Sequence, residues 1–205
     1  MLANMSVSDF LDETSSNSPV PGGGSIAALS AAFAAALTQM VANLTKGKKC
    51  YEEVQDEVEL VCEKASKMKS DFVDYIDKDS DAFTSVMNAF KLPTDTTQEI
   101  QYRKSAIQET TKKAARVPLS VARQAFDMMD IIKIVVQKGN KNAASDVAVA
   151  TMLARTAVLA ALYNVKINLT SINDRVFVEK VTLEVNKLEK DVKIKEKEIL
   201  SIIVF

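Results

Sequence analysis

A glycine-rich turn that runs directly into an alanine-rich segment constrains this chain more than any other feature; it reads PVPGGGSIAALSAAFAAALTQMVAN at residues 19–43. Pro19 and Pro21 hold the approach extended, and three glycines accept backbone angles that other residues avoid. A helix starting near Ser25 would present unpaired N–H groups and its positive dipole end to an anion or a carbonyl oxygen. The residues predicted to bind a ligand here are Pro21, Gly22, Gly23, Gly24 and Ser25. Ordinary helix capping is the alternative. The turn is not a nucleotide P-loop, because no Gly-Lys-Ser/Thr follows at the required spacing.

The alanine-rich segment predicts a helix that is buried on every side. Alanine recurs around the whole helix, together with larger apolar residues such as Phe33 and Met40, so neighbouring helices can approach closely. We expect it to be the central helix of an all-α, multi-helix bundle. A membrane span is the competing interpretation, since about 20 apolar residues cross a bilayer. Polar residues and the dominance of alanine argue against insertion; the polar residues are Ser30, Thr38 and Gln39.

Composition narrows the classes of function. The chain has 205 residues, of which 47% are apolar and 26% charged, with only 5 Gly and 4 Pro, a balance typical of helical proteins. We expect one domain over 1–205, since no linker divides the chain.

A net charge of -1 indicates neither a nucleic acid nor a membrane partner. The absence of histidine, with only Cys50 and Cys62 as thiols, predicts no metal site and leaves acid–base chemistry to Asp, Glu, Lys or Tyr. The first residues have no basic, apolar leader, so a cytoplasmic location is expected.

One carboxylate falls on an apolar helix face. In the long helix predicted after residue 51, Ile76, Asp79 and Phe83 follow one another at helical spacing, whereas Asp81 falls on the polar face. A carboxylate on a buried face must be hydrogen-bonded, paired or neutral, and each of these shifts its pKa. Asp79 is therefore the predicted catalytic acid–base group. The alternative is a helix break at Lys78, with Asp79 or Ser80 capping a new helix.

Two cations are predicted to hold acidic groups of a ligand. Lys48 belongs to a lysine cluster that follows the alanine-rich helix, where a favourable interaction with the helix dipole is the competing explanation. Arg103 lies on the apolar line of a later helix, from which it could neutralise an inward carboxylate or grip a ligand. Further along, Pro118 is expected to kink this helix or begin a new one.

A second polar turn leads into a second alanine-rich helix. The turn reads KGNKNAASD at residues 138–146, and it offers Asn140, Asn142, Ser145 and Asp146 as ligand-binding groups, with capping as the alternative for the last two. We hypothesise that both turns present helix N-termini to one pocket. Placement of the two turns at opposite ends of the molecule would exclude this shared pocket.

Six segments, in order along the chain, resemble the cyclodeaminase/cyclohydrolase family of tetrahydrofolate enzymes. They are PVPGGGSIAALSAA, MVANLTKGKKCY, DSDAFTSVMNAFKLP, RKSAIQETTKKAARVPLSVA, GNKNAASDVAVA and NVKINLTSINDR. The family's aspartate, in the pattern D-x-x-A-[FY], falls on Asp79. This resemblance covers about residues 8–174.

The resemblance implies a helical homodimer that acts on one-carbon-substituted tetrahydrofolate without a metal or redox cofactor. Two related reactions are implied: cyclohydrolase opens 5,10-methenyltetrahydrofolate with water to give 10-formyltetrahydrofolate, and cyclodeaminase closes 5-formiminotetrahydrofolate with loss of ammonia. We expect cyclohydrolase, because the chain lacks the transferase module that makes formimino-folate. A non-catalytic, folate-binding helical scaffold is the third interpretation.

Overall fold

Helices account for the secondary structure of the computed structural model, which describes residues 1–204. Six α-helices, α1 to α6, follow one another along the chain, and no strand occurs within the described residues, which confirms the all-α prediction. Short 3-10 turns lie at Leu2–Asn4, Lys49–Val54 and Lys141–Ala143. The α-helices are α1 (Val7–Ser15), α2 (Gly23–Thr45), α3 (Gln55–Phe90), α4 (Thr97–Lys138), α5 (Ala144–Leu169) and α6 (Arg175–Ile202).

The alanine-rich helix α2 packs against α3, α4 and α5. Its alanines fill these contacts, because a methyl side chain lets the neighbouring backbones approach closely. Helices α2 and α5 run antiparallel: Gly23 at the start of α2 lies beside Asn164 late in α5, while Thr45 at the end of α2 bonds Asn140 just before α5. The fully buried alanines of α2 are Ala27, Ala28, Ala31, Ala34, Ala35 and Ala42.

Helix α3 is continuous through Lys78 and Asp79, so the alternative of a break at Lys78 is wrong. The regular helical phase therefore holds, and it carries Asp79 along the same stripe as the buried residues Phe72 and Ile76. Beyond Asp79 the stripe emerges from the core, since Phe83 is 36% exposed.

Helix α4 continues through Pro118 without beginning a new helix there. Proline has no N–H, so the carbonyl of Ala114, four residues earlier, loses its helical donor. The side-chain amide of Asn168 on α5 donates to this Ala114 oxygen at 3.4 Å. A neighbouring helix thus supplies the hydrogen bond that the proline removes, which is one of the ways in which helices tolerate an interior proline.

The two terminal helices cover the outside of the bundle. Helix α1 buries Phe10 against the core, and α6 lies along α4 and α5. Ion pairs between Arg123 and Glu184 and between Arg155 and Glu196 join α6 to those two helices. These outer helices leave one side of α2 and α5 uncovered.

Two stretches, Gly23–Thr45 and Lys141–Leu169, are long and apolar enough to cross a membrane. Core helices of soluble proteins meet the same criterion, and the most apolar windows of these stretches are 56% and 50% buried inside the protein. Length and composition alone therefore do not separate the two interpretations. Both helices are, however, apolar on a face that the rest of the chain does not cover.

Candidate active site

A cleft of about 340 Å³ opens where the glycine turn meets α3, α4 and α5. Its floor is formed by the start of α2, and its walls carry both apolar and amide side chains. Among the described residues that line it, Asp79 alone is ionisable. The lining residues are Pro19, Val20, Gly22, Gly23, Gly24, Asp79, Phe83, Val86, Ala114, Asn164, Ile167 and Asn168.

Asp79 is held at the N-terminus of α2 by Ser25. The Ser25 hydroxyl, which is fully buried, lies 3.1 Å from Oδ2 of Asp79. Burial raises the pKa of the Asp79 carboxyl above its ordinary value, and hydrogen bonds from the side chain and backbone of Ser25 oppose that rise. Desolvation has the larger effect on the pKa, so the site favours a carboxyl group that can gain and release a proton.

The glycines allow the carboxylate to reach the helix end. A Cβ atom on Gly24 would lie 2.1 Å from Oδ1 of Asp79, far inside contact distance, so a side chain at this position cannot coexist with the observed carboxylate. Gly23 faces Asn164, whose Nδ2 would lie 3.2 Å from an added Cβ. Gly22 is the N-cap residue and has no side chain to cap α2. The Asp79 carboxylate therefore occupies the place of a cap, beside the positive end of the helix dipole.

Two asparagines on α5 line the cleft, and neither was predicted from the sequence to have a role. Asn164 donates its amide to the carbonyl of Ala160, and Asn168 donates to those of Asn164 and Ala114. Their side-chain oxygens are left to accept hydrogen bonds from a bound molecule. Their spacing of four residues, late in an apolar helix, is the signal that could have identified them as a pair on one face.

The second polar turn lies at the opposite end of α2, so the prediction of one pocket shared by both turns is wrong for a single chain. A helix of 23 residues is about 35 Å long. Asn140 binds the far end of it: its backbone N–H donates to the Thr45 hydroxyl at 2.9 Å, and its side chain donates to the Leu44 carbonyl. The antiparallel packing of α2 and α5 causes this separation, because it places the start of one helix beside the end of the other.

The other predicted residues of that turn are also remote from Asp79. The backbone N–H of Asn142 donates to the side-chain oxygen of Asn140, an ordinary capping contact. Ser145 is exposed. Asp146 lies in the first turn of α5, where a negative charge interacts favourably with the helix dipole. Within one chain these residues stabilise the turn and do not reach the cleft.

The comparison with known proteins identifies the family of this fold and cleft. The family model described as formiminotransferase-cyclodeaminase matches residues 6–187. The chain belongs to the formiminotransferase-cyclodeaminase family. This confirms the family resemblance seen in the six sequence segments.

Members of the formiminotransferase-cyclodeaminase family with different names resemble this chain. A methenyltetrahydrofolate cyclohydrolase of Methylorubrum extorquens is 40% identical over 188 residues, which cover 92% of this chain and 90% of that protein. The formimidoyltransferase-cyclodeaminase of Rattus norvegicus is 32% identical over 192 residues, and the match spans only 36% of its length. The crystal structure of formiminotetrahydrofolate cyclodeaminase from Thermotoga maritima superposes with a TM-score of 0.88, covering 99% of this chain and 98% of that one at 31% identity.

The remaining predicted residues lie outside the cleft of this family member. Pro21 is buried within the turn. Arg103 donates from Nε and Nη2 to the carbonyl of Phe90 at 3.1 and 2.8 Å, so it caps the end of α3 instead of neutralising Asp79, roughly 16 Å away along that helix. Lys48 is exposed beyond the end of α2, at the same far end as Asn140.

Proposed function

We propose that this protein hydrolyses 5,10-methenyltetrahydrofolate to 10-formyltetrahydrofolate, with Asp79 as its general base and acid. The observation that carries the proposal is the partly desolvated Asp79 carboxyl, the one ionisable group among the described lining residues of the cleft. The free-standing cyclohydrolase relative, which matches over nearly its whole length, supports this reaction over cyclodeamination.

Hydrolysis adds water to the methenyl carbon between N5 and N10 of the folate. Ionised Asp79 takes a proton from the attacking water as the C–O bond forms, which leaves a tetrahedral carbon bearing a hydroxyl group. The C–N5 bond then breaks, Asp79 returns its proton to N5, and the hydroxyl proton passes to solvent as the formyl group forms on N10. Proton transfer by a positioned side chain contributes about 10²–10⁴-fold to such a rate. The proposed steps use neither a metal nor a redox cofactor.

The rest of the cleft supplies the groups that would orient the substrate. The backbone N–H groups of residues 22–24 and the amide oxygens of Asn164 and Asn168 offer donors and acceptors to the folate ring system. Apolar contact comes from Phe83 on α3 and Ile167 on α5. Holding the reacting carbon beside Asp79 makes the proton transfers effectively intramolecular.

Cyclodeamination is the second candidate function. It is favoured by the fold match to formiminotetrahydrofolate cyclodeaminase, which covers nearly all of both chains. In this reaction N10 attacks the formimino carbon, and the departing amine needs a proton to leave as ammonia. Protonated Asp79, stabilised by its burial, would donate that proton.

We also propose that the protein is a cytoplasmic homodimer, and that its interface covers the free side of α2 and α5. A helix that is apolar all round is normally buried all round, yet these two adjacent helices expose several large apolar side chains. A second copy packed there would make α2 the central helix of the assembly. No nucleic acid or membrane partner is proposed. The exposed apolar residues of this side are Phe33, Met40 and Leu44 on α2 and Val149, Met152 and Tyr163 on α5.

One set of assays distinguishes the three functions. Loss of methenyl absorbance on adding protein to 5,10-methenyltetrahydrofolate, above the uncatalysed rate, supports cyclohydrolase. Gain of that absorbance from 5-formiminotetrahydrofolate, with release of ammonia, supports cyclodeaminase. Binding of methenyltetrahydrofolate without turnover of either substrate would reject both enzyme functions and support the folate-binding scaffold.

A further inference from the structure

The Ser25 hydroxyl lies between two oxygen atoms, and it has one proton. Its Oγ is 3.0 Å from the Ile76 carbonyl oxygen and 3.1 Å from Oδ2 of Asp79. A hydroxyl group donates one hydrogen bond and accepts up to two. It therefore cannot donate to both oxygens at once, and the state of Asp79 decides which one receives the proton.

We propose that Ser25 is a positioning residue that changes its hydrogen-bond acceptor each time Asp79 gains or loses a proton. When Asp79 is ionised, the Ser25 hydroxyl donates to Oδ2. When Oδ2 carries the proton, Asp79 donates to Ser25 Oγ, and the hydroxyl turns to the Ile76 carbonyl. This inference rests on the proposed acid–base role of Asp79.

The surroundings of Ser25 suit this role. The residue is fully buried, so water does not compete for its hydroxyl group, and a buried polar atom must find a partner inside the protein. The Ile76 carbonyl lies within the continuous helix α3, where the backbone N–H four residues later supplies a donor. It therefore remains hydrogen-bonded when the Ser25 hydroxyl turns away.

No other ionisable side chain lines this site in the described structure. The start of α2 contributes glycines, α4 contributes Ala114, and α5 contributes Asn164, Ile167 and Asn168. The Ser25 backbone N–H also bonds Asp79 but can only donate, so the Ser25 hydroxyl is the contact that can serve both protonation states of Asp79. An exchange of acceptors lets both states be hydrogen-bonded, which a group that takes and returns a proton in each turnover requires.

The test is the pH dependence of kcat/KM in Ser25→Ala. A hydrogen bond to a charged group is stronger than one to its neutral form, so loss of the hydroxyl weakens the ionised state more. We expect the acid dissociation constant of Asp79 to fall about tenfold or more, which moves the acidic limb of the profile to higher pH. Ser25→Cys, of similar size but a weaker donor, should lie between the wild type and Ser25→Ala.

Ser30→Ala is the matched control. Ser30 lies on the same helix, and its hydroxyl donates to the Ile26 carbonyl at 2.9 Å, so its removal should leave the acidic limb in place. An unmoved limb in Ser25→Ala would overturn the proposal, as would an equal shift in Ser30→Ala.

A direct titration separates this inference from the proposed function. The Asp79 carboxyl carbon can be followed by ¹³C NMR without substrate, with Asp79→Asn identifying its signal. If the pKa of the Asp79 carboxyl is higher in Ser25→Ala than in the wild type, but the wild type turns over neither folate substrate, the proposed function is rejected and the role of Ser25 is retained. Turnover in the wild type with the same carboxyl pKa in both proteins would reject the role of Ser25 alone.

Discussion

Gly24 on α2 and the Asp79 carboxylate on α3 lie so close together that a Cβ on Gly24 would be 2.1 Å from the carboxylate oxygen Oδ1. The start of α2 and the Asp79 side chain on α3 can meet this closely only because residue 24 has no side chain. The geometry of the acid–base group thus depends on a residue that performs no chemistry itself.

Gly24→Ala should therefore damage catalysis more than folding. The added methyl group displaces the end of a side chain, which can rotate, and leaves the backbones of α2 and α3 in place. A misplacement of about 1 Å can cost about 100-fold in rate, so we expect kcat to fall by about that factor while the melting temperature changes by only a few degrees, about 1 kcal/mol in a chain of this size. A steady-state assay and a thermal melt measure the two effects, and an unchanged kcat would contradict the interpretation of this contact.

Asp79→Asn should raise the stability of the fold at neutral pH. Burial raises the pKa of Asp79 in the folded state, so between the ordinary pKa of aspartate and the raised value the folded protein binds more protons than the unfolded chain. The contribution of Asp79 to the free energy of unfolding is therefore greatest at low pH and declines as the pH rises through this window. The neutral asparagine avoids that decline. In chemical denaturation at several pH values, the free energy of unfolding of Asp79→Asn should exceed that of the wild type increasingly through the window. Below the window the difference between the two proteins should not change with pH.

Asn168 and Pro118 should be energetically coupled. Asn168 supplies the donor that Pro118 withholds from the Ala114 carbonyl, so Asn168→Ala should cost about 1 kcal/mol in the free energy of unfolding. In a Pro118→Ala background the backbone N–H of residue 118 can bond that carbonyl again, and the same substitution should cost less. A double-mutant cycle measures the difference; equal costs in the two backgrounds would show that the two residues act independently.

The proposed dimer predicts that a charge on the free side of α5 separates the subunits. Met152 is 48% exposed on this face, and Met152→Glu would bury an unpaired carboxylate in the interface, which is strongly unfavourable. Analytical ultracentrifugation should show a dimer for the wild type and a monomer for the variant. Leu183→Glu, at a 73% exposed site on α6 and not on the proposed α2 and α5 interface, is the control and should remain dimeric.

Helical periodicity was sufficient to predict where Asp79 lies, because a continuous helix fixes the direction of every side chain on it. The same reasoning failed for Asn140 and Asn142. Their turn resembles the glycine turn locally, but whether two helix starts meet depends on whether the helices run parallel or antiparallel, and local patterns do not specify this.

Contacts between helices also decide features that local sequence patterns do not specify. Pro118 was expected to kink α4 or to begin a new helix; no new helix begins there, and the donor that compensates for the proline comes from Asn168 on another helix. Arg103 lies on the expected apolar line, yet it binds the Phe90 carbonyl at the end of α3. The roles of Asn164 and Asn168 depend on the same packing, since only the fold brings them to the glycine turn.

The most direct measurement is the turnover of Asp79→Asn compared with Asp81→Asn. The two residues lie on the same helix, but Asp81 is exposed on the polar side, so its substitution controls for the loss of one negative charge. With methenyltetrahydrofolate as substrate, we expect Asp79→Asn to lose about 10²–10⁴-fold in kcat and Asp81→Asn to retain the wild-type value. Full turnover in Asp79→Asn would contradict the assignment of this carboxyl as the proton carrier.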